Sequence, residues 1–114
     1  MGAGSYKVVA DYRAAYPDPI VMKAGERLRV GVRDEDNDAW VWCTESSGKS
    51  GWVPVAYVRL DGEAGTALRD YSAVELSVRT GETLDVLEEE AGWVLAGDSR
   101  GRSGWVPLEN VERS

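Results

Sequence analysis

The tetrapeptide Gly51-Trp52-Val53-Pro54 returns as Gly104-Trp105-Val106-Pro107, 53 residues later. Trp40 and Trp93 share that offset. Toward the N-terminus, Gly25-Glu26 matches Gly81-Glu82, Leu28 matches Leu84 and Val30 matches Val86, all at 56. Asp11-Tyr12 matches Asp70-Tyr71 at 59. The offset falls in two steps, so the second copy is three residues shorter in each of two loops. A shared fold tolerates length changes of this kind in its surface connections. A length of 114 residues alone points to one domain. The repeat instead predicts two, at residues 6–60 and 65–113, each small but sufficient for an independent fold.

The local pattern is strand-rich. Lys7–Tyr12, Glu26–Val32, Ala39–Thr44 and Gly51–Val55 alternate or carry β-branched and aromatic residues. The polar, Gly-containing runs Glu45–Ser50 and Asp98–Ser103 sit between strands and read as hairpin turns. No stretch keeps a helical period over ten residues. Single helical turns are expected only at Val55–Tyr57 and Leu108–Asn110, where a Pro precedes the last strand of each copy. Asp61–Gly65 reads as the linker. Five residues span at most roughly 17 Å, so the two copies are expected to lie close together.

Charge and composition narrow the function classes. The net charge of −7 argues against nucleic acid and anionic membranes as partners. Residues 1–60 hold eight basic and eight acidic side chains, residues 61–114 five and twelve. Two halves so different are not expected to share one ligand. No apolar run reaches membrane-spanning length, and Met1–Lys7 carries no signal-peptide core, which predicts a cytoplasmic protein. There is no His and one Cys, so no nucleophile–base pair built on those residues is available. Catalysis, cofactors and metals are not expected. Asp34-x-Asp36-x-Asp38 imitates a calcium loop but has Ala39 where the required Gly belongs. Cys43 stands opposite Ala96 in the repeat, as an inert packed thiol would.

The ordered motifs resemble the SH3 domain. In the second copy they are Ala67 to Tyr71, Glu75 to Val78, Gly81 to Val86, Gly92-Trp93, Gly104 to Pro107 and Val111. In the first they are Val8 to Tyr12, Gly25 to Val30, Trp40, Gly51 to Pro54 and Tyr57-Val58. The resemblance covers nearly the whole chain and points to a compact bacterial tandem protein. It implies an all-β fold of two tandem five-stranded SH3-like barrels. Each would carry a shallow aromatic groove for an extended, proline-containing peptide, with loop acids attracting a flanking basic residue.

Carried over by position, the groove of the first copy takes Tyr12, Trp40, Pro54 and Tyr57. Ala10 replaces the family's first Tyr, and Tyr16 in the first loop is a candidate substitute. Asp18, Asp36 and Asp38 are the candidate acids for a basic ligand. The second copy keeps Tyr71, Glu75, Trp93 and Pro107 as a weaker groove, since Arg69 and Asn110 replace two Tyr. The first copy is therefore expected to hold the principal ligand site, with Trp40→Ala abolishing binding and Trp93→Ala sparing it. Trp42, two residues beyond Trp40, shares its strand face, while Trp52 and Trp105 suit packing. Two other classes of function fit the same residues. One is a pair of structural barrels whose aromatic faces bury each other or form a homodimer. The other is a binder of a small molecule or cell-wall peptide.

Overall fold

The computed structural model describes residues 4–15 and 18–114. Twelve short strands account for its regular structure: β1 (Ser5–Val8), β2 (Val21–Met22), β3 (Arg27–Arg33), β4 (Trp40–Thr44), β5 (Ser50–Pro54), β6 (Val58–Asp61), β7 (Ala64–Ala67), β8 (Tyr71–Ser72), β9 (Thr83–Glu90), β10 (Trp93–Gly97), β11 (Ser103–Pro107) and β12 (Val111–Arg113). The helical content among the described residues is one 3-10 turn at Val55–Tyr57 and one at Leu108–Asn110, where the sequence places them. Each follows a proline whose extended φ of about −60° suits a strand end.

Ten of the strands build two five-stranded antiparallel sheets, and β2 pairs with β8 in a two-stranded one, but not along the boundaries of the repeat. One sheet has the order β11-β10-β9-β1-β12, the other β5-β4-β3-β7-β6. β1, from the first copy, lies between β9 and β12 of the second. β7, from the second copy, lies between β3 and β6 of the first. The compact units are accordingly Met1–Pro17 with Val74–Ser114, the outer unit, and Asp18–Ala73, the inner unit. The repeats at 6–60 and 65–113 are contiguous in sequence, yet each has exchanged its first strand with the other.

The exchange corrects the reading of Asp61–Gly65. It is not a linker but a hairpin: Asp61 pairs with Ala64 across a two-residue turn, and Leu60 with Gly65. Gly62 takes φ +65°, which suits the first central position of a tight strand-compatible turn. β6 and β7 are therefore neighbours in one sheet.

Alternation places the core of each unit. In β9 the buried residues Leu84 and Val86 alternate with exposed Thr83 and Asp85. They meet Val8, Leu76, Val94 and Val106 in the outer core. Leu28, Val41, Cys43 and Val53 hold the equivalent buried places in the inner unit, with Ile20 and Met22 beside them in the chain's second strand region. Backbone packs closely where a glycine admits it: a Cβ on Gly104 would lie 2.8 Å from the Glu75 carbonyl carbon.

Candidate functional site

The exchange sorts the predicted groove residues into new sets. In the outer unit, Tyr12 meets Trp93 edge to face, with ring centroids 5.9 Å apart. Trp93 stands opposite Pro107 across β10 and β11. The Leu108 N–H donates to the Gly92 carbonyl at 2.9 Å, which ties the 3-10 turn after Pro107 to the start of β10. The Tyr12 hydroxyl donates to Glu75 Oε1 at 2.6 Å, and the Ala15 N–H donates to the same oxygen at 2.8 Å. Two donors thus fix one oxygen of the Glu75 carboxylate beside Tyr12. Tyr12, Trp93, Pro107 and Glu75 are all half-buried, so their faces are partly presented to solvent. Asn110 stands where the family pattern places a Tyr. Its amide instead donates to the carbonyls of Ala10 at 3.2 Å and Asp11 at 3.0 Å, holding the incoming first strand.

The inner unit brings together Trp40, Pro54, Tyr57 and Tyr71. Trp40 pairs with Pro54 across β4 and β5. Tyr57 and Tyr71 meet at 5.5 Å. Here the tyrosines are buried, at 5% and 7% exposure, and Pro54 is fully enclosed. The Arg69 guanidinium lies 4.4 Å from the Tyr57 ring centre, a cation–π contact laid over the tyrosine. The Tyr71 hydroxyl donates to the Trp52 carbonyl at 3.3 Å. The groove expected of the first copy is thus completed by Tyr71, while Tyr12 serves the other sheet. The cause is the strand exchange, because both tyrosines sit at the end of an exchanged segment.

The predicted acids divide likewise. Asp18 is bound to Lys49, Oδ1 to Nζ at 2.9 Å. That carboxylate raises the Lys49 pKa. Asp36 and Asp38 are exposed in the loop before Trp40. The loop satisfies itself: Asp34 Oδ1 accepts from the Asp36 N–H and Asn37 Oδ1 from the Ala39 N–H. Tyr16 lies outside the described residues. Trp42 and Trp52 face each other across β4 and β5, 5.1 Å apart and edge to face, whereas Trp105 is 5% exposed and serves packing. Cys43 is fully buried, and burial pushes its thiol up to about 11.

Two small antiparallel sheets, each bringing aromatic side chains and a proline together beside a 3-10 turn, suit a class of β-rich interaction module. The chain belongs to the SH3 family. The pattern described as "Variant SH3 domain" matches residues 5–61, and that described as "SH3 domain" matches residues 66–108. The chain is a protein-interaction module built from two such domains in tandem. Among curated proteins it is similar to the human guanine nucleotide exchange factor DBS, at 36% identity over 56% of this chain and 6% of that protein. It is also similar to human proline-serine-threonine phosphatase-interacting protein 1, at 38% over 49% of this chain and 13% of that protein. A third likeness is to the zebrafish (Danio rerio) SH3 and PX domain-containing protein 2A, at 38% over 54% of this chain and 5% of that protein. The chain spans only a small part of each of these relatives. No solved structure matches it significantly.

Proposed function

We propose that the chain is a non-catalytic module that binds a proline-containing, basic segment of another protein, and that the outer unit's cleft is its principal site. The observation that carries this reading is the Tyr12–Trp93 pair beside Pro107, with Glu75 held beside Tyr12. Flat half-exposed rings offer slots to the prolines of an extended peptide, which is already ordered and loses little entropy on docking. Glu75, fixed by two donors, keeps one oxygen for a basic side chain, and Glu88–Glu90 add acidic character on β9. The inner cleft is the weaker one in this reading, because its tyrosines and proline are buried and Arg69 lies over Tyr57. This reverses the ranking that the repeat alone favours.

Titration with a proline-rich peptide bearing Arg, followed by Trp fluorescence, tests the proposal. Trp93→Ala should abolish saturable quenching, and losing such an aromatic anchor costs about 2 kcal/mol or more, roughly thirtyfold in Kd. Trp40→Ala should bind nearly as the unmodified chain does. Glu75→Gln should weaken the Arg-bearing peptide and flatten the salt dependence. Equal losses from both Trp substitutions, or no saturable binding at all, would rule the assignment out.

A further inference from the structure

The two exchanged strands are held by the same backbone hydrogen bonds. In the outer unit the Val8 N–H donates to the Glu82 carbonyl at 2.9 Å, and the Gly81 N–H donates to the Val8 carbonyl at 2.9 Å. In the inner unit the Ala67 N–H donates to the Glu26 carbonyl at 2.9 Å, and the Gly25 N–H donates to the Ala67 carbonyl at 2.7 Å. The match extends to side chains: Thr80 N–H donates to Asp11 as Ala24 N–H donates to Asp70. Backbone bonding therefore does not tell one strand from the other, and something else must decide which strand enters which sheet.

We infer that Tyr6 and Gly65 sort the strands. They are equivalent positions: Tyr6 pairs with Leu84 and Arg113, and Gly65 with Leu28 and Leu60. The inner slot has closed around the missing side chain. A Cβ on Gly65 would lie 2.7 Å from Val58 Cγ1 and 2.9 Å from Val30 Cγ2, with the Arg59 carbonyl oxygen at 3.3 Å. Both valines are stiff at χ1, so the slot rejects a methyl group and, more strongly, a phenol ring. The outer slot is built for the ring. Tyr6 is buried in the core cluster with Val86 and Val111, and its hydroxyl donates to Glu89 at 3.4 Å. The Arg113 guanidinium lies 5.9 Å from the ring centre. The inner position equivalent to Glu89 is Arg33, which has no acceptor for the Tyr6 hydroxyl, and the position equivalent to Arg113 is Leu60, which puts no cation at that place beside the ring. Gly65 in the outer slot would leave a void among Leu84, Val86 and Val111. Each strand thus fits one sheet and is refused by the other. This sorting does not depend on the peptide reading.

Disulfide trapping in the full chain, with Cys43→Ala as background, tests this. Lys7 and Glu112 are exposed direct partners in the exchanged arrangement. Arg59 occupies the place of Glu112 in the inner sheet, where it pairs with Thr66, the equivalent of Lys7. In a glutathione buffer, Lys7→Cys with Glu112→Cys should close within one chain, and Lys7→Cys with Arg59→Cys should stay reduced, with an excess of ~tenfold or more. Tyr6→Gly should let the 7–59 bond appear, and Tyr6→Gly with Gly65→Tyr should make it dominant. If the double substitution does not fold, the single Tyr6→Gly carries the test. A dominant 7–59 bond in the unmodified background, a 7–112 bond found only between chains, or a ratio that Tyr6→Gly leaves unchanged would overturn the inference.

Discussion

At the scale of single residues, three side chains tie acid and thiol chemistry to folding. The Asp11 carboxyl is held below its ordinary value of 3.8, first by the Thr80 backbone N–H and then by the Thr80 hydroxyl. A carboxylate depressed on folding contributes fully above its unfolded pKa, and the contribution fades as pH falls through the lower folded value. Asp11→Asn should therefore lower the melting temperature at neutral pH, and the gap to the unmodified chain should close as pH drops below about 4. Melts across that range check it, and a gap that persists in acid would show the charge to be irrelevant. Glu45 behaves alike, held down first by the Ser47 hydroxyl and then by the Lys49 N–H. Cys43 shows the opposite case, since burial alone raises its thiol to about 11. At neutral pH roughly one thiol in ten thousand is ionised, and only the thiolate reacts. Alkylation should be negligible in the folded chain and rapid in denaturant, which mass spectrometry reads directly. The equivalence of Cys43 with Ala96 announced this burial from the repeat alone.

Among the elements, the two loops in which the copies differ in length carry most of the local contrast. In the first copy, residues 34–39 join β3 to β4. In the second, Ala91 and Gly92 alone join β9 to β10, with φ of 53° and 89°. A hairpin turn with both central residues in the left-handed region favours Asn-Gly or Gly-Gly, and Ala there is strained by roughly 1–2 kcal/mol. Ala91→Gly should raise stability by about 1 kcal/mol, measured by urea unfolding. Gly104→Ala should lower it by about 1–3 kcal/mol, because the added methyl meets Glu75 backbone rather than a movable side chain. The two hairpin turns, the two 3-10 turns and the strands read at Glu26–Val32, Ala39–Thr44 and Gly51–Val55 were legible because alternation, Gly and Pro act locally, whereas the strand read at Lys7–Tyr12 lies at Ser5–Val8. Asp61–Gly65 reads as a connector because it lies between the two repeats, whereas Gly62 and Glu63 form a hairpin turn there.

For the molecule as a whole, the pattern of a first strand does not name its sheet. Ser5–Val8 and Ala64–Ala67 have the same alternation and the same backbone partners, so the repeat points to contiguous domains while the chain forms exchanged ones. The meetings of Trp40 with Pro54 and of Trp93 with Pro107 were legible. Their grouping was not, because it depends on which sheet Tyr12 and Tyr71 are delivered to. The signal that reveals it is steric and sits at the Tyr6 and Gly65 positions. Exchange also sets a timetable for synthesis. The inner unit is one uninterrupted stretch, complete once Ala73 has left the ribosome. β1 is made earlier than all of it, yet its partners β9 and β12 come last. At ~5–20 residues per second, it waits several seconds as an unpaired nascent segment. Nascent chains arrested once Ala73 is exposed should already protect Asp18–Ala73 from protease while Ser5–Val8 is still cut. Translation order and folding order thus run against each other: β1 is made before the inner unit and pairs after it.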